Sequence, residues 1–500
     1  MKSLAEGAGR AAHRRLSCFA AITLLATSCS HWSGEAPVAL SAAPIDPPPS
    51  AQTPDQQHAE LTLARLPAFR RGLALSGGGV RSAMFNVGVL KALYDAGRLD
   101  DFDVVSTVSG GGYAGYWLYA NEQTRDGDKT TFGAGSFEGD LFQQRVCELS
   151  RTGNFQTYVR MGRALAALRP SRASIAGYEW GLRRTFGAGE SGTTTIAGLA
   201  AGTGTRWPYL VMNATVHDEP PRTGQWLRRL FEFTPLFRGN AGYGYWAWND
   251  SSPPLYKLTA ISGAAKPLLA QVEMLPSAGA PLRVPLFDGG KSENLGAVAL
   301  IRRGVQDVTI VDAEHDPFYQ FEAYRILRGG LAGYGLRLRI DALEPAQPRT
   351  IRPDWPSAAF HGHVIDTATR RSVSTVHYLK MGISLPVRAQ LIAEREESSL
   401  GAASQRGLDR AQAKACVPSP LSRPTEIWAA YNAGSYERWL NERNAKARRI
   451  NRIAPEAGKI YFPQYSTLDQ SYHLDQLRAF VGLGYLEGRE LIASLPRGHN

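Results

Sequence analysis

Cysteine is scarce in this chain, with only four among 500 residues, and their positions lack the paired spacing of a zinc site. No Lys-Ser or Lys-Thr follows the glycine loop near residue 77, which argues against a P-loop. Signatures of helix-turn-helix, zinc-finger and RNA-binding proteins are also missing. We therefore expect no metal, no cofactor and no nucleic-acid partner.

The overall composition is that of a globular protein with a substantial core, since 43% of residues are hydrophobic and 10% are aromatic. The length allows one large domain with insertions or two to three ordinary domains. The formal charge of +11 indicates an anionic partner. Because nucleic-acid signatures are missing, a membrane surface is the favoured one. The sequence does not indicate the oligomeric state.

The N-terminus predicts export. Arg14 and Arg15 precede "LSCFAAITLLATSCS", an apolar stretch of signal-peptide length that is too short to remain as a membrane-spanning helix. It resembles a bacterial lipoprotein signal in which Cys29 is acylated, although Ala26 stands where Leu is commonest. We expect a signal peptide at 1–28 and a membrane-anchored lipoprotein of the cell envelope, periplasmic or at the outer membrane. Plain export followed by cleavage is the alternative.

The segment 29–64 is rich in Pro and Ala and predicts a flexible tether. After removal of a signal peptide, Cys147 and Cys416 would be the thiols left besides Cys29. An oxidising compartment permits a disulfide between them, and two buried thiols are an equally good interpretation.

Alternating strand and helix patterns from 65 to 490 predict one α/β domain with a mostly parallel central sheet flanked by helices. "RGLALS" and "FDVVSTVS" enclose a helix that ends near Gly97, as in a βαβ unit. "PYLVMNATV", "LRVPLFDGG" and "VQDVTIVDAEHD" predict strands, "HGHVIDTATRRSVSTVHYLKMGISL" a hairpin at the sheet edge, and the C-terminus a helix from about Asp475. Expected insertions are helical at 121–205, aromatic-rich at 225–250 and charged helical at 387–455.

A block of three glycines follows the first of these strands, in "SGGGVRS". Gly77, Gly78 and Gly79 can adopt positive φ and direct their N–H groups into one small volume at a helix start. Such a loop can hold a phosphate or an oxyanion, or it can be a tight structural turn. The dinucleotide-binding pattern fails because its third glycine is missing.

Ser109 lies in the second glycine turn, "STVSGGG", between an apolar strand and a helix. This is the context of a nucleophile elbow, where a strained turn exposes a serine hydroxyl at the edge of a sheet. Thr107 replaces the usual first glycine of the elbow pattern. Asp288 ends a predicted strand and is followed by two glycines, so it can act as the base for Ser109 or form an ordinary Asp-Gly turn.

In this order, "SGGGVRS", "STVSGGG" and "FDGG" resemble the motifs of the patatin-like phospholipases, bacterial branch. "FEFTPLF", "AISGAA" and "SENLGAVALIRRG" add to a likeness that covers roughly Leu73 to Gly484. The resemblance implies a patatin-like three-layer α/β fold with helical and hairpin insertions. It also implies a lipid acyl hydrolase, of phospholipase A or lysophospholipase type, that cleaves carboxylic esters of phospholipids or lysophospholipids.

The resemblance further implies residue roles. Ser109 would be the nucleophile and Asp288 the base of a catalytic dyad, with the glycine loop as oxyanion hole. Arg81 would support that loop or attract a substrate phosphate, while Ser82 replaces the family's common glycine. The implied oxyanion-hole residues are Gly77, Gly78 and Gly79, and the implied supporting residues are Arg81, Gly110, Gly111, Gly289 and Gly290.

Three alternatives stay open at this point. A Ser-His-Asp esterase could use His315, with Asp312 close by in the sequence. A catalytically silent, membrane-tethered module could bind lipids or a protein. The segment "QWLRRLFEFTPLFRGNAGYGYWAWND" could meet a lipid surface or pack in the core.

Overall fold

The structure is a computed structural model of the 500-residue chain. It describes residues 38–41, 69–123, 132–138, 173–187, 194–201, 207–216, 229–240, 244–248, 252–264, 270–275, 282–317, 319–344, 357–399, 462–465, 467, 472 and 474–496. The predicted signal peptide, Cys29, Cys147 and Cys416 lie outside these residues.

The strands of the described residues form one sheet of thirteen strands. Their bounds are β1 Val38–Ser41, β2 Arg71–Leu75, β3 Val104–Val108, β4 Tyr209–Val216, β5 Leu230–Phe233, β6 Phe237–Asn240, β7 Gly244–Ala247, β8 Ala270–Leu275, β9 Leu282–Asp288, β10 Asp307–Asp312, β11 Leu336–Arg339, β12 Ala359–Asp366 and β13 Ser372–Lys380. The described α-helices are α1 Gly79–Asp95, α2 Gly110–Gln123, α3 Ala134–Phe137, α4 Ala173–Phe186, α5 Gly198–Ala201, α6 Leu255–Ser262, α7 Ala297–Ile301, α8 Glu322–Ala332, α9 Leu385–Ser399 and α10 Leu474–Ser494.

The centre of the sheet is parallel, the strands on either side of it pair antiparallel, and β1 at one edge pairs in parallel with β8. Strands β13, β10, β2, β3 and β4 pair in parallel in that order, and β9, β5 and β12 continue the sheet with antiparallel pairs. Parallel strands end at the same edge, so the loops after β2, β3 and β10 lie side by side. The mostly parallel central sheet predicted from the sequence is confirmed.

The first βαβ unit forms as the sequence predicts. Strand β2 pairs in parallel with β3, and α1 connects them. Helix α1 ends at Asp95 with Ala96 as its C-cap, and Gly97 follows with a φ of 63°. Nearly all of α1 is buried, because α10 packs along it and α2 also contacts it. A Cβ atom on Gly88 would lie 2.0 Å from the backbone oxygen of Val481, so glycine is needed where the two helices meet.

The C-terminal half contains the predicted hairpin, but the hairpin does not form the edge of the sheet. Strands β12 and β13 pair in antiparallel register, with His361 opposite His377. Strand β11 pairs with the outer side of β12, so the hairpin is not the last element of the sheet as predicted. The sequence of β11, LRLR, is short and alternates buried and exposed residues, which gave little signal. Helix α10 begins at Leu474, one residue from the prediction.

The aromatic-rich segment packs in the core where the structure describes it. Strands β5, β6 and β7 form an antiparallel extension of β4. Phe231, Phe233 and Phe237 are buried, and the buried Arg238 lies over the ring of Trp248 at 4.7 Å. Of the two interpretations of this segment, core packing is therefore the one that its described residues support.

Two further observations concern the N-terminus and the membrane. Val38–Ser41, within the predicted tether, form strand β1 and pair in parallel with β8, so these four residues differ from the expectation. None of the helices in the described parts of the chain is long and apolar enough to cross a membrane.

Candidate active site

Both glycine turns lie at the same edge of the sheet. Leu75 near the end of β2 is paired with Thr107 near the end of β3, so the loops that follow start side by side. A Cβ atom on Gly110 would lie 2.2 Å from the carbonyl oxygen of Gly79, and one on Gly111 would lie 2.1 Å from that of Leu75. The two loops are therefore in direct contact, which only residues without a side chain permit at positions 110 and 111.

Ser109 lies in a strained turn between β3 and α2. Its φ is 49°, in the left-handed region that costs a serine about 1–3 kcal/mol. The N–H of Ser109 donates to Ser262 Oγ at 2.9 Å, and Ser262 Oγ donates to the Asn213 carbonyl at 2.6 Å. These two hydrogen bonds hold the strained backbone of Ser109, which would otherwise relax to a more common conformation.

Asp288 is the hydrogen-bond partner of the Ser109 side chain. Ser109 Oγ donates to Asp288 Oδ2 at 2.9 Å, although 179 positions separate the two residues. The other carboxylate oxygen accepts from the N–H of Gly290 at 2.9 Å, and the Asp288 N–H donates to Ala264 O at 3.1 Å. The carboxylate is thus fixed at both oxygens and faces the serine hydroxyl.

Burial raises the pKa of the Asp288 carboxyl above its usual value. Hydrogen bonds from Gly290 and Ser109 and the charge of Lys291 oppose this shift but do not cancel it. A carboxylate with a raised pKa is a stronger base than an ordinary aspartate. It can therefore accept a proton from a serine that attacks a carbonyl group.

The glycines after Asp288 are required by close packing. A Cβ atom on Gly289 would lie 2.4 Å from the Asn213 carbonyl oxygen, and one on Gly290 would lie 2.6 Å from Asn294 Oδ1. A side chain at either position would therefore collide with its neighbours in the site. Gly290 also donates its N–H to Asp288.

The glycine loop supplies two candidate oxyanion donors rather than three. Gly78 and Gly79 have φ values of 140° and 68°, and the hydrogen bonds found for the described residues use neither N–H. The N–H of Gly77 donates to the Asn294 carbonyl at 2.9 Å, so it is already occupied. This corrects the expected oxyanion role of Gly77. A Cβ atom on Gly77 would lie 2.2 Å from Asn294 Oδ1 and 3.3 Å from the Ser109 Cβ, so the role of this glycine is steric.

Arg81 is fully buried and supports the glycine loop. Its Nη2 donates to the Ala313 carbonyl at 3.0 Å and its Nη1 to the Tyr465 carbonyl at 3.1 Å. A Cβ atom on Gly78 would lie 3.1 Å from Nη2 and 2.5 Å from the Ala313 oxygen. Two roles are expected for Arg81, support of the loop or attraction of a substrate phosphate. Because the side chain is buried, the structure favours support of the loop.

Ser82, at the position of the family's common glycine, has a role of its own. Ser82 Oγ donates to the Ser76 carbonyl at 2.6 Å, and Asn86 Nδ2 donates to Ser82 Oγ at 3.0 Å. The Ser76 hydroxyl accepts from the Ala313 N–H at 2.7 Å. These bonds fix the start of the glycine loop to α1 and to the end of β10.

The alternative triad is not assembled. Ser109 Oγ donates to Asp288, and none of its hydrogen bonds involves His315. Asp312 accepts from Lys380 Nζ at 2.8 Å and from the Tyr378 hydroxyl, so its carboxylate is engaged elsewhere. His377 pairs with Asp307, at the start of β10 rather than its end. His473 lies outside the described residues.

Sequence reasoning assigned no role to three polar residues of the site. Asn213 is buried in β4, where its Nδ2 donates to the Thr107 carbonyl and to Ser106 Oγ, both at 2.9 Å. Ser262 accepts from the nucleophile, and Asn294 accepts from Gly77. The usable signal was Asn213, a polar side chain inside the apolar run "YLVMNATV". No group of three or more His, Cys, Asp or Glu residues among those described is placed to hold a metal ion.

Comparison with known proteins supports this fold. Residues 73–176 match the family model of the patatin-like phospholipases, a segment with the glycine loop and Ser109 but not Asp288. No curated protein matches the chain. Human GIVD cytosolic phospholipase A2 is similar in structure at 14% identity and a TM-score of 0.50, over 88% of this chain and 62% of that chain. VipD from Legionella pneumophila has 14% identity and a TM-score of 0.23, over 50% and 51%.

The chain therefore has an α/β fold of the patatin and cytosolic phospholipase A2 type. It spans about three fifths of the length of the human enzyme. Within that fold, the family match and the geometry agree on the segment that carries the glycine loop and the elbow.

Proposed function

We propose that this protein is a lipid acyl hydrolase that cleaves carboxylic esters of phospholipids or lysophospholipids through Ser109 and Asp288. The observation that carries the proposal is the 2.9 Å hydrogen bond from Ser109 Oγ to Asp288 Oδ2, made by a serine in a strained elbow. The match of residues 73–176 to the patatin-like phospholipases supports the substrate class.

The reaction needs two steps. Ser109 Oγ attacks the ester carbonyl carbon while its proton moves to Asp288, and the tetrahedral intermediate collapses when the alcohol leaves with that proton. Water then attacks the acyl-enzyme, Asp288 takes one of its protons, and the fatty acid departs as Ser109 is protonated again. The N–H groups of Gly78 and Gly79 would stabilise the oxyanion, and loss of one such donor typically costs about 3–4 kcal/mol of barrier.

We also propose that Cys29 anchors the protein to a membrane of the cell envelope, which would keep the site close to its lipid substrate. The support is the sequence of the first 29 residues alone. In a bacterial host, the wild-type chain should incorporate labelled palmitate and fractionate with membranes. A Cys29→Ser variant that incorporates the same amount of label would contradict the anchor.

Hydrolysis of phospholipid and lysophospholipid vesicles tests the activity directly. The purified protein should release fatty acid, and a Ser109→Ala variant with an unchanged thermal unfolding midpoint should release none. A wild-type protein that binds the vesicles without hydrolysing them would instead support the catalytically silent module. The positions and lengths of the released acyl chains would separate a phospholipase A from a lysophospholipase.

A further inference from the structure

Tyr113 lies one helical turn after Ser109, on the helix that starts at the elbow. Its N–H donates to the Ser109 carbonyl at 3.2 Å, and its side chain is buried. Ser109 directly precedes this helix and Tyr113 lies in its first turn, so the backbone hydrogen bond holds the two residues close together. The ring of Phe186 packs against the Tyr113 ring, with centroids 5.4 Å apart.

The Tyr113 hydroxyl is part of a hydrogen-bonded tyrosine pair, Tyr113 and Tyr178. The two hydroxyls are hydrogen-bonded to each other, and the Tyr178 hydroxyl donates to the Gly263 carbonyl at 3.0 Å. A Cβ atom on Gly263 would lie 2.6 Å from each hydroxyl, so a glycine is needed there. Burial raises the pKa of both tyrosines, which keeps both hydroxyls protonated at any working pH.

Ser262, Gly263 and Ala264 connect this pair to the dyad. In that order, the three residues accept hydrogen bonds from the Ser109 N–H, from the Tyr178 hydroxyl and from the Asp288 N–H. One short segment therefore fixes the nucleophile, the tyrosine pair and the base relative to one another. A tyrosine pair with only a packing role would not need to share this support.

Burial is the main cause of the raised pKa of Tyr113, hydrogen bonding to Tyr178 and to the Ser109 side chain acts to lower that pKa, and the Asp288 charge raises the pKa of both tyrosines. Because Ser109 gives its proton to Asp288 during attack, negative charge develops on Oγ, and a neutral hydroxyl close to it can donate a hydrogen bond. Tyr113 can turn its single hydroxyl proton from Tyr178 to Ser109 Oγ, while the Tyr178 proton stays on the Gly263 carbonyl.

We propose that Tyr113 is a positioning residue for the Ser109 hydroxyl, and that Tyr178 and the Gly263 carbonyl hold it in place. This inference rests on the proposed function, because it concerns the reactivity of the same nucleophile. It adds a third side chain to the dyad, and it predicts that removing one phenolic oxygen slows acylation while the affinity for the acyl group stays the same.

The experiment measures the reaction of the whole protein with an alkyl fluorophosphonate over a range of reagent concentrations. Tyr113→Phe should lower the maximal labelling rate by about tenfold and leave the half-saturating concentration unchanged. Tyr119→Phe is the matched control, because Tyr119 lies on the same helix and its buried hydroxyl donates to the Pro208 carbonyl at 2.7 Å, away from the dyad. Its labelling rate should equal that of the wild type.

The outcomes separate this inference from the proposed function. If the wild type is labelled and Tyr113→Phe is labelled equally fast, or if both Phe variants slow down equally, Tyr113 has no positioning role while the proposed function stands. If the wild type is not labelled, the proposed function fails, and the inference with it. Should Tyr113→Phe not fold, Tyr178→Phe decides the question, since it keeps Tyr113 but removes its support and should also slow labelling.

Discussion

Two carboxylate sites at the same edge of the sheet are built in opposite ways. Asp288 accepts hydrogen bonds from Ser109 and Gly290 and forms no ion pair with a described residue. At the end of β10, by contrast, Lys380 Nζ lies 2.8, 2.7 and 3.2 Å from oxygens of Asp312, Glu314 and Asp316. We call this second site the lysine cluster.

The pKa shifts express this contrast at Asp316 but not at Glu314, where burial raises the pKa to about 7 despite the charge of Lys380. Burial raises the pKa of Asp288, and burial also acts to raise that of Asp316. In Asp316, however, the charge of Lys380 and hydrogen bonds from the amides of Gln320 and Phe321 outweigh burial and lower the pKa. The Asp316 carboxylate is held ionised by its cation and its amide donors, whereas Asp288, with no ion pair among the described residues, keeps its basicity available for proton transfer.

The largest expected effect is on activity. Asp288→Asn should reduce esterase activity by roughly 10⁴-fold or more, because the amide cannot accept the proton of Ser109. His315→Ala is the control and should keep most of the activity. Initial rates on a nitrophenyl ester measure both. Full activity of Asp288→Asn together with an inactive His315→Ala would replace the dyad by a triad.

The lysine cluster should show the next largest effect, on stability. Lys380→Met leaves three buried carboxylates without their cation and should lower the free energy of unfolding by about 3–5 kcal/mol. Lys91→Met removes an ion pair with Asp95 at the protein surface and should cost at most about 1 kcal/mol. Denaturant titration of the two variants measures the difference. Equal losses would show that the cluster contributes no more than a surface pair.

The two sites should also differ in pH dependence. Asp288 must be ionised to act as a base, so kcat/KM should fall on acidification at a higher pH than for an ordinary aspartate. A raised carboxyl pKa stabilises the fold below the usual pKa, and this contribution is lost as the pH rises through the raised value. The unfolding free energy of Asp288→Asn should therefore rise relative to wild type from acid to neutral pH. A constant difference would contradict the raised pKa.

A smaller effect is expected from the support of the elbow. Ser262→Ala removes the acceptor of the Ser109 N–H and should slow the reaction with a fluorophosphonate by about tenfold. Thr259→Val is the control, because Thr259 lies on the same helix and its hydroxyl donates only within that helix, to Leu255 O at 2.9 Å. If both variants react at the wild-type rate, the strained turn does not depend on Ser262.

The sequence predicts the parts of this site that depend on local pattern. Strands β2, β3, β9 and β10, and the glycine blocks beside them, are short contiguous motifs, so the sequence alone predicts that they exist. The proximity of Ser109 and Asp288 follows from the antiparallel pairing of β9 with β4, which places Asp288 opposite Ala214 just beyond the end of β3, and the family resemblance rather than strand order implied it.

The rest of the site depends on partners far away in the chain. Gly77 looks like its two neighbours in sequence, and only the carbonyl of Asn294 shows that its N–H is occupied. Ser262 and Tyr113 have no distinctive pattern either, since a serine at a helix end and a tyrosine in a helix are common. The sequence predicts a role for Arg81, but its complete burial depends on residues far away in the chain.

The central claim is that Ser109 is a nucleophile activated by Asp288. The most direct test is to treat the wild type, Ser109→Ala and Asp288→Asn with a fluorophosphonate and to locate the adduct by mass spectrometry. We predict one adduct on Ser109 in the wild type, none at any site in Ser109→Ala, and strongly slowed labelling in Asp288→Asn. An unlabelled wild-type protein, or an adduct on another serine, would contradict the account.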